Sequence, residues 1–384
     1  MSTLSDATEV AEGGAKLQLP PEPRKVFYNP KMSVNRDLAI LFTHSYFPPG
    51  KEIVLCDPMT GSGVRAIRYV LETQRIGQVV ASDRDYAAVE LAHRTILLNQ
   101  LNDRVFVVHS DAYKLLSAYA PRRFDMIDLD PFGSPAPFFE STLRATVDKG
   151  IVAATATDMG PLSGSRPRAC MRKYGVSPIK AEFEKELAVR TLAASLAAVA
   201  SKLELGMNIV FSHATDHYAR LYAAISKGRK AANLTLRNLG YLTYCPACLF
   251  RIAKPAISSI RDKCDSCGAT CPTGGPLWLG PLWDKRIVDS MIQTTPTLRS
   301  SRLAEVQKIL ARIQGEILAP KFYFTTGTFS SVYRVKPPSL GQLIDSLRAC
   351  GYEAARTHFN STGFRTDASL QTIVDCFRMI AEEA

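Results

Sequence analysis

The chain has 384 residues, of which 46% are hydrophobic and 22% are charged, and its formal net charge at pH 7 is +11. This composition is that of a globular protein long enough for two or three cores, and it excludes a disordered chain. The longest apolar-rich run, residues 187–205, contains Arg190, Lys202 and Glu204, which predicts a packed helix and not a membrane span. The positive charge favours a polyanionic partner.

The first nine residues lack the basic and apolar regions of a secretory leader, so we expect a cytoplasmic protein. Nine cysteines, an odd number, in such a chain favour metal ligands over disulfides. Residues 1–25 are rich in Gly, Glu, Ala and Pro without periodicity, which predicts a flexible tail. After it, Asn29-Pro30 indicates a turn, and Ser33 is placed to cap a helix.

The first predicted strand, Glu52–Asp57, leads into a glycine-rich turn and then a helix. Gly61 and Gly63 allow a sharp turn and let a ligand approach the backbone, with Asp57 just ahead of them. A second strand, Val79–Asp83, ends in an acid twenty residues after Gly63. That spacing brings Asp83 within reach of a ribose bound over the turn, so Asp57, Gly61, Gly63 and Asp83 are predicted to bind a cofactor.

The glycine pattern Gly61-x-Gly63-x-x-Ala66 also fits the looser dinucleotide fingerprint, which leaves a nicotinamide-dependent enzyme as an alternative. A third strand, Val105–Val108, is followed by Asp111, whose carboxylate can accept a hydrogen bond from an adenine amino group. A nucleoside without a pyrophosphate needs such acceptors more than a phosphate cradle, which favours a ligand of that kind.

A fourth strand within residues 124–133 ends in Asp130-Pro131-Phe132-Gly133. The proline stops the strand, so one carboxylate, several carbonyls and one flat ring meet at the carboxyl edge of the sheet, where ligands bind. Such a turn suits a planar base with an amino group: the oxygens accept its N–H protons and Phe132 stacks on its face. The alternative is an ordinary turn between a strand and a helix, because Asp-Pro is common in turns.

These four strand ends, taken in order, resemble those of the class I S-adenosylmethionine-dependent methyltransferases. The alternation continues with a fifth strand over Ile151–Asp158 and a helix over residues 178–205. Two final strands, Met207–Ser212 and Tyr218–Ile225, are predicted to close the sheet with the antiparallel hairpin usual in that class. Residues 227–230 then suggest a basic linker.

The segment after the fifth strand, residues 159–175, is basic. It carries Arg166, Arg168, Arg172 and Lys173 and no acid, which suits contacts with phosphates. A solvated run of charge is the alternative interpretation.

A cysteine motif follows the predicted sheet. Cys245, Cys248, Cys264 and Cys267 form the spacing C-x2-C-x15-C-x2-C of a tetrathiolate zinc site. Four thiolates leave no open coordination position, so a bound zinc is expected to be structural. Cys271 is a possible substitute for one of the four ligands.

The remaining part of the chain predicts a mixture of helices and strands. A helix is expected near residues 300–318, a strand followed by a helix around Val332 to Leu347, and a helix at the C-terminus. His358 is interpreted as a structural histidine without a chemical role.

Several motifs spread over almost the whole chain together resemble the tRNA guanine-26 N2-dimethyltransferase family, and the compact length resembles its archaeal members. The motifs are Phe27-Tyr-Asn-Pro-Lys-Met32, Asn35-Arg36-Asp37, Asp130-Pro-Phe-Gly133, Ala156-Thr-Asp158, Arg172-Lys-Tyr-Gly175, Gly275-Pro-Leu-Trp278, Gly280-Pro-Leu-Trp283 and Arg365-Thr-Asp-Ala368. One departure is Ser163-Gly164 and Arg166, where the family leads us to expect Cys-Gly and a following His.

The resemblance implies transfer of one or two methyl groups from S-adenosylmethionine to the exocyclic amine of a tRNA guanine. It implies that Asp130 holds the guanine amine, with Phe27 and Phe132 on the two faces of the base. The residues that it implies for contacts with the methyl donor are Arg36, Arg65, Asp83, Asp111 and Ala112.

We therefore expect a class I methyltransferase fold, an α/β domain with a Rossmann-like seven-stranded sheet over residues 26–230. A smaller α+β domain with the zinc-ribbon-like four-cysteine site, residues 231–384, is expected to bind tRNA, and we expect neither a membrane nor an obligate protein partner. The alternatives are methylation of an amino group elsewhere, on tRNA, rRNA or adenine in DNA, and an RNA-binding protein without activity.

Overall fold

The structure is a computed structural model and describes residues 8–19, 26, 28–121, 123–255 and 262–382. It begins with an antiparallel hairpin of two strands, β1 (Thr8–Glu12) and β2 (Ala15–Leu19). Ala15, Leu17 and Leu19 alternate with exposed residues and are buried in the main core. The predicted flexible tail is therefore wrong for residues 8–19, because this alternation lets β2 bury one face.

A seven-stranded sheet forms the centre of the molecule, with the strand order β5-β4-β3-β6-β7-β9-β8. Its strands are β3 (Ile53–Asp57), β4 (Ile76–Asp83), β5 (Val105–His109), β6 (Phe124–Leu129), β7 (Thr146–Ala156), β8 (Leu205–Thr215) and β9 (Tyr218–Lys227). Only β9 runs antiparallel to its neighbours, and β8 and β9 form the predicted closing hairpin. The expected Rossmann-like sheet is confirmed.

Helices cover both faces of this sheet. They are α1 (Ser33–Tyr46), α2 (Val64–Thr73), α3 (Tyr86–Leu98), α4 (Ala112–Ala118), α5 (Phe139–Ala145), α6 (Met159–Leu162), α7 (Pro167–Tyr174), α8 (Glu184–Lys202) and α9 (Arg229–Leu236). Successive residues of a strand point to opposite faces, and both Met126 and Ile127 of β6 are fully buried. Residues Arg229 and Lys230, predicted as part of a linker, begin α9 instead.

Two small antiparallel sheets and five α-helices make up most of the C-terminal part as far as it is described. The first sheet contains β10 (Leu239–Tyr244), β11 (Arg251–Lys254) and β12 (Thr273–Trp278), and the second contains β13 (Phe324–Thr325), β14 (Ala354–Arg356) and β15 (Gly363–Thr366). The helices are α10 (Lys285–Thr294), α11 (Leu303–Glu316), α12 (Thr326–Tyr333), α13 (Leu340–Ala349) and α14 (Leu370–Glu382).

The predicted strand near Val332 is wrong, because that residue lies in the helix α12. Two hydroxyl groups start the helices of this region. The Thr325 Oγ1 atom accepts a hydrogen bond from the Thr328 N–H, and the Ser339 Oγ atom accepts one from the Gln342 N–H. Such N-caps satisfy backbone N–H groups that would otherwise lack a partner. They therefore favour the helices α12 and α13 over the predicted strand.

Buried ion pairs join the C-terminal part to the central sheet. The Glu186 carboxylate on α8 contacts the Arg365 guanidinium on β15 at 2.9 Å, and Arg365 also donates to Glu316 at 2.6 Å. The Trp283 indole N–H donates to the Ser212 carbonyl of β8 at 2.8 Å. None of the helices within the described ranges has the length and apolar character needed to cross a membrane.

Candidate functional site

Four predicted acids line the carboxyl edge of the sheet. Asp57 and Asp83 end β3 and β4, Asp111 follows β5 and caps α4, and Asp130 follows β6. Since the strand order is β5-β4-β3-β6, these residues stand in one row along the edge. This is the position at which open α/β sheets bind ligands.

The glycine-rich turn is held directly against this row. Gly61 and Gly63 have φ values of +54° and +79°, which other residues rarely adopt. A side chain at Gly63 would also approach the Ala92 Cβ atom to 3.2 Å, so that α2 and α3 could no longer pack as closely. The Gly61 N–H donates to the Asp83 Oδ2 atom at 3.0 Å, which brings two predicted donor-binding residues into contact.

Asp57 is buried beneath the turn. Its Oδ2 atom accepts a hydrogen bond from the Thr60 hydroxyl at 2.9 Å. Burial, with the nearby charges of Asp128 and Asp130, raises the pKa of Asp57 to about 7. Asp57 therefore supports the turn from below and can change its protonation near neutral pH.

Asp130 forms an ion pair with Arg65, which reaches it from α2. The same guanidinium donates to the Asn35 Oδ1 atom at 3.0 Å and lies 3.3 Å from the Asp128 Oδ2 atom. Burial opposes the charge on Arg65, but Asp128 and Asp130 raise its pKa above the ordinary value. The Asp130 carboxylate, 20% exposed, thus stands at the rim of the site with a permanently charged partner behind it.

A buried network beneath Asp130 was not predicted. The Asp128 Oδ2 atom accepts hydrogen bonds from the Tyr69 hydroxyl at 2.6 Å and from Arg220 at 2.7 Å. Burial alone would raise the pKa of Asp128, but Arg220 and Arg65 hold it below the ordinary value. The only signal in the sequence was the position of Asp128, an acid inside an apolar strand. A buried charge needs partners, so such an acid indicates a buried network.

Asn35 also went unnoticed as a site residue. It is fully buried, and its Nδ2 atom has no hydrogen-bond partner among the described residues although its Oδ1 atom accepts from Arg65. A buried donor without a partner is costly unless a ligand or water accepts from it. Asn35, Arg65 and Asp130 therefore fit a polar ligand at this edge.

Of the two aromatic residues predicted to stack on the base, the structure describes Phe132. Phe132 is 76% exposed, and the turn behind it is fixed by reciprocal hydrogen bonds to Thr157, the residue that follows β7. The Gly133 N–H donates to the Thr157 Oγ1 atom at 2.8 Å, and the Thr157 N–H donates to the Gly133 carbonyl at 2.9 Å. Phe27, the predicted partner on the other face of the base, lies outside the described residues.

Arg36 is held by the N-terminal hairpin. Its Nε and Nη2 atoms donate to the two Glu12 carboxylate oxygens, each at 2.5 Å, and Nη2 also donates to the Asn29 carbonyl at 3.0 Å. Arg68 donates to Glu12 as well, at 3.0 Å. Ala112, the last predicted donor residue, is buried at the start of α4.

The four cysteines of the metal motif come together around the first small sheet. The sulfur atoms of Cys245, Cys248, Cys264 and Cys267 all lie within 4.8 Å of one another. Tetrahedral zinc with Zn–S bonds of about 2.3 Å requires sulfur separations of this size. Cys271 is buried nearby, but its thiol donates to the Ala269 carbonyl at 3.6 Å and does not complete the group of four.

A separate cavity of about 720 Å³ lies beside the turn between β8 and β9, where Thr215, Lys308 and His358 line it. None of the predicted donor, base or metal residues borders it. Because β8 runs parallel to β7, this cavity opens at the same edge of the sheet, but toward the C-terminal part.

The strand order, the antiparallel β9 and the row of acids define a class I S-adenosylmethionine-dependent methyltransferase fold. The family model described as N2,N2-dimethylguanosine tRNA methyltransferase matches residues 8–378. The chain belongs to this family.

Individual relatives are similar to this chain over nearly its whole length. The tRNA (guanine(26)-N(2))-dimethyltransferase of Methanobrevibacter smithii is 32% identical, with 97% of each chain covered. The tRNA (guanine(26)-N(2)/guanine(27)-N(2))-dimethyltransferase of Aquifex aeolicus is also 32% identical, over 95% of this chain and 94% of its own. The structure of Trm1 from Pyrococcus horikoshii with S-adenosyl-L-methionine superposes with a TM-score of 0.88 at 32% identity, covering 96% of this chain and 99% of that one.

Proposed function

We propose that the protein transfers one or two methyl groups from S-adenosylmethionine to the N2 amine of guanine 26 in tRNA. The observation that carries this proposal is the Asp130 carboxylate, paired with Arg65 and followed by the exposed ring of Phe132 at the carboxyl edge of the sheet. Family membership and the names of the relatives support the choice of substrate.

The proposed donor site lies along β3, β4 and β5. S-adenosylmethionine, when bound, supplies an electrophilic methyl group on a sulfonium. We assign the ribose hydroxyls to Asp83 and the adenine amino group to Asp111, with Ala112 against the ring, because carboxylates accept such hydrogen bonds at strand ends. The turn of Gly61 and Gly63 over Asp57 gives the donor access to the backbone.

Arginine and amide groups complete the proposed donor site. Arg36 and Arg65 are assigned to the negatively charged end of the donor, because guanidinium groups bind carboxylates bidentately. Asn35 stands beside Arg65 with its Nδ2 atom unsatisfied within the described chain, and is assigned a hydrogen bond to donor or base. The superposition on a Trm1 structure that contains S-adenosyl-L-methionine supports a donor site in this fold.

The target guanine is proposed to lie edge-on to Asp130 with Phe132 against one face, and we assign the other face to Phe27. The lone pair of its N2 amine is delocalised into the purine, so the amine is a weak nucleophile. Hydrogen bonds from the N–H groups to Asp130 and to a carbonyl of the following turn favour the geometry in which that lone pair points at the methyl carbon. The C–N bond then forms as the C–S bond breaks.

Asp130 acts in this scheme as a hydrogen-bond acceptor and not as a strong base. Its ion pair with Arg65 holds the carboxylate in place at the rim of the site. The methylated amine is cationic and acidic, so its proton leaves readily to Asp130 or water after transfer. After one methylation a single N–H remains, and a second transfer requires rotation about the C2–N2 bond.

We propose residues 26–230 as the catalytic domain and residues 231–384 as a domain that binds tRNA through a zinc-stabilised sheet. The sulfur cluster supports zinc as a structural ion at Cys245, Cys248, Cys264 and Cys267. The net charge of +11 supports binding to RNA phosphates, which offsets the few kcal/mol needed to unstack the target base.

Nucleoside analysis by mass spectrometry tests this function. A tRNA transcript incubated with the protein and isotopically labelled donor should yield N2-methylguanosine or N2,N2-dimethylguanosine at position 26, and a transcript with adenine at position 26 should carry no label there. Label at guanine 27 as well would extend the activity, as in the name of the Aquifex aeolicus relative. Label confined to another position, or absent altogether, would contradict the proposal.

A further inference from the structure

Helix α7 presents one buried face and one strongly basic face. Cys170 and Tyr174, one turn apart, are buried against the fold, whereas Arg168, Met171 and Arg172 are exposed on the other side. Residues four apart lie on the same face of a helix, which explains this division. The exposed face carries charge together with an apolar side chain, Met171, that is 51% exposed.

The positive charge of this face is not neutralised locally. The segment from Met159 to Gly175 contains no acidic residue. Asp158, just ahead of it, accepts hydrogen bonds from the Tyr174 hydroxyl and from Lys173, the latter at 2.8 Å. Within the described chain, the guanidinium groups of Arg166, Arg168 and Arg172 have no acidic partner within ion-pair distance.

Asp158 also ties α7 to the turn that carries Asp130 and Phe132. The residue before it, Thr157, exchanges two hydrogen bonds with Gly133 of that turn. Helix α7 further packs on the helical turn Ala136–Phe138, a few residues beyond Phe132. The basic face is therefore fixed to the same short segment as the residues proposed to hold the target base.

We propose that the exposed face of α7 binds the ribose-phosphate backbone of the RNA strand next to the target guanine. The inference rests on the proposed function, and it assigns phosphates to Arg168 and Arg172. These residues lie one turn apart, about 6 Å along the helix axis, which suits neighbouring phosphates of one strand. With the strand held at α7, the unstacked base is kept near Phe132 and Asp130.

The test is a pair of charge-removing substitutions with a matched control. In Arg168→Ala with Arg172→Ala, the dissociation constant and KM for the tRNA transcript should rise about 10- to 100-fold at low salt. The slope of log affinity against log salt should fall by about 1.4–1.8, the share of two phosphate contacts. The dissociation constant for S-adenosylmethionine should stay within about twofold, because α7 supplies no proposed contact to the donor.

The control is Lys202→Ala with Lys230→Ala, which removes the same charge. Both lysines are exposed at the opposite edge of the sheet, where α8 ends and α9 begins. This variant should keep the tRNA affinity and salt slope of the unmodified protein, and Arg168→Lys with Arg172→Lys should recover most of the lost affinity.

The outcomes separate this inference from the proposed function. If the unmodified protein methylates guanine in the transcript but the alanine pair keeps its tRNA affinity and salt slope, α7 does not bind the RNA. The inference is equally wrong if the control pair loses as much affinity, or if donor binding falls together with tRNA binding. If the unmodified protein transfers no methyl group to any tRNA, it is the proposed function that fails.

Discussion

Arg65 contacts three residues whose association is not apparent from the sequence. Its guanidinium contacts Asp130, Asp128 and Asn35, and all four lie at or beneath the edge where β6 ends. A guanidinium stays charged under all ordinary conditions, so the Asp130 carboxylate has a fixed cationic partner. The arrangement is suited to an acceptor of hydrogen bonds that must hold one orientation.

Replacing Asp130 tests that role. In Asp130→Asn the amide N–H groups oppose the N–H groups of the guanine, and in Asp130→Ala the acceptor is lost. We expect kcat to fall at least about 100-fold in both, with donor and tRNA dissociation constants changed less than about threefold. The control Asp103→Asn, at an exposed turn before β5, should retain full activity. Methyl transfer by Asp130→Ala at the normal rate would remove Asp130 from the mechanism.

Asp57 gives a prediction about pH. Its pKa is raised from 3.8 to about 7, so the folded protein keeps a proton that the unfolded chain has already lost. The contribution of this group to the free energy of unfolding is therefore greatest below about pH 4. It decreases as the pH rises to about 7 and does not change further above that pH. The total change is at most about 4 kcal/mol, at about 1.4 kcal/mol for each pH unit between the two values.

Urea unfolding of the protein and of Asp57→Asn between pH 4 and pH 8 measures this effect. The asparagine can still accept a hydrogen bond from Thr60 but carries no charge. As the pH rises, the free energy of unfolding of the unmodified protein should therefore fall relative to that of the variant. A difference between the two that is independent of pH would show that Asp57 does not titrate in this range.

The residues of the site divide into those that a sequence can indicate and those that it cannot. Asp57, Asp83 and Asp130 each follow a buried apolar run, so strand periodicity indicated their common edge. Glu12 and Arg220 come from distant parts of the chain and are joined to the site only by tertiary packing. No local pattern distinguishes such partners from ordinary surface charges.

At the scale of elements, the N-terminal hairpin acts as a support for Arg36. Glu12 on β1 accepts hydrogen bonds from Arg36, from Arg68 and from the Tyr28 hydroxyl. Burial alone would raise the pKa of Glu12, but Arg36 and Arg68 hold it below the ordinary value. The hairpin was missed because its two strands are only five residues each and flank a Gly-Gly turn in a polar segment.

Glu12→Ala should leave two buried guanidinium groups without this partner. We expect a loss of about 3–5 kcal/mol in the free energy of unfolding and a weaker affinity for S-adenosylmethionine, because Arg36 loses its orientation. Glu9→Ala on the exposed side of the same strand should change stability by less than about 0.5 kcal/mol. Unfolding in guanidinium chloride and calorimetric donor titration measure both effects, and equal behaviour of the two variants would contradict this role.

The cysteine cluster is the second element with a prediction of its own. Cys264→Ser should abolish binding of one zinc ion per chain and lower the thermal stability and tRNA affinity, while the donor dissociation constant stays unchanged. Cys271→Ser should keep the zinc, because its sulfur stands outside the group of four. Elemental analysis, melting curves and donor titration provide the readouts.

Two results would contradict this account of the zinc site. Zinc retained by Cys264→Ser but lost by Cys271→Ser would show that Cys271, and not Cys264, is the zinc ligand. A loss of donor binding equal to the loss of tRNA binding would mean that the ion supports the catalytic fold.

At the scale of the whole molecule, the C-terminal part is joined to the central sheet by buried charges. Arg365 lies between Glu186 of α8 and Glu316 of α11, and Glu316 also accepts hydrogen bonds from Thr357 and His358. Burial opposes the charge on Glu316, but Arg365 and His358 lower its pKa to about 2. Breaking such a cluster is costly, so the two parts are expected to keep one relative position.

The sheet was predictable and this junction was not. Alternating strands and helices leave a strong pattern in hydrophobicity, and the strand order follows from the class of fold. The ion pairs of Glu186, Glu316 and Arg365 depend on how two separately patterned regions meet, which no window of sequence contains. The short helices α12 and α13 were harder to predict for a local reason, since their N-capping hydroxyl groups outweigh a brief apolar run.

A crystal structure with S-adenosylmethionine bound is the most direct test of the whole account. A guanine amine placed between methyl carbon and carboxylate needs about 3 Å on either side, so the methyl carbon should lie roughly 6 Å from an Asp130 oxygen. The space between them should be open to solvent beside Phe132 and wide enough for a purine. A donor methyl far from Asp130, or separated from it by packed side chains, would contradict the proposed reaction.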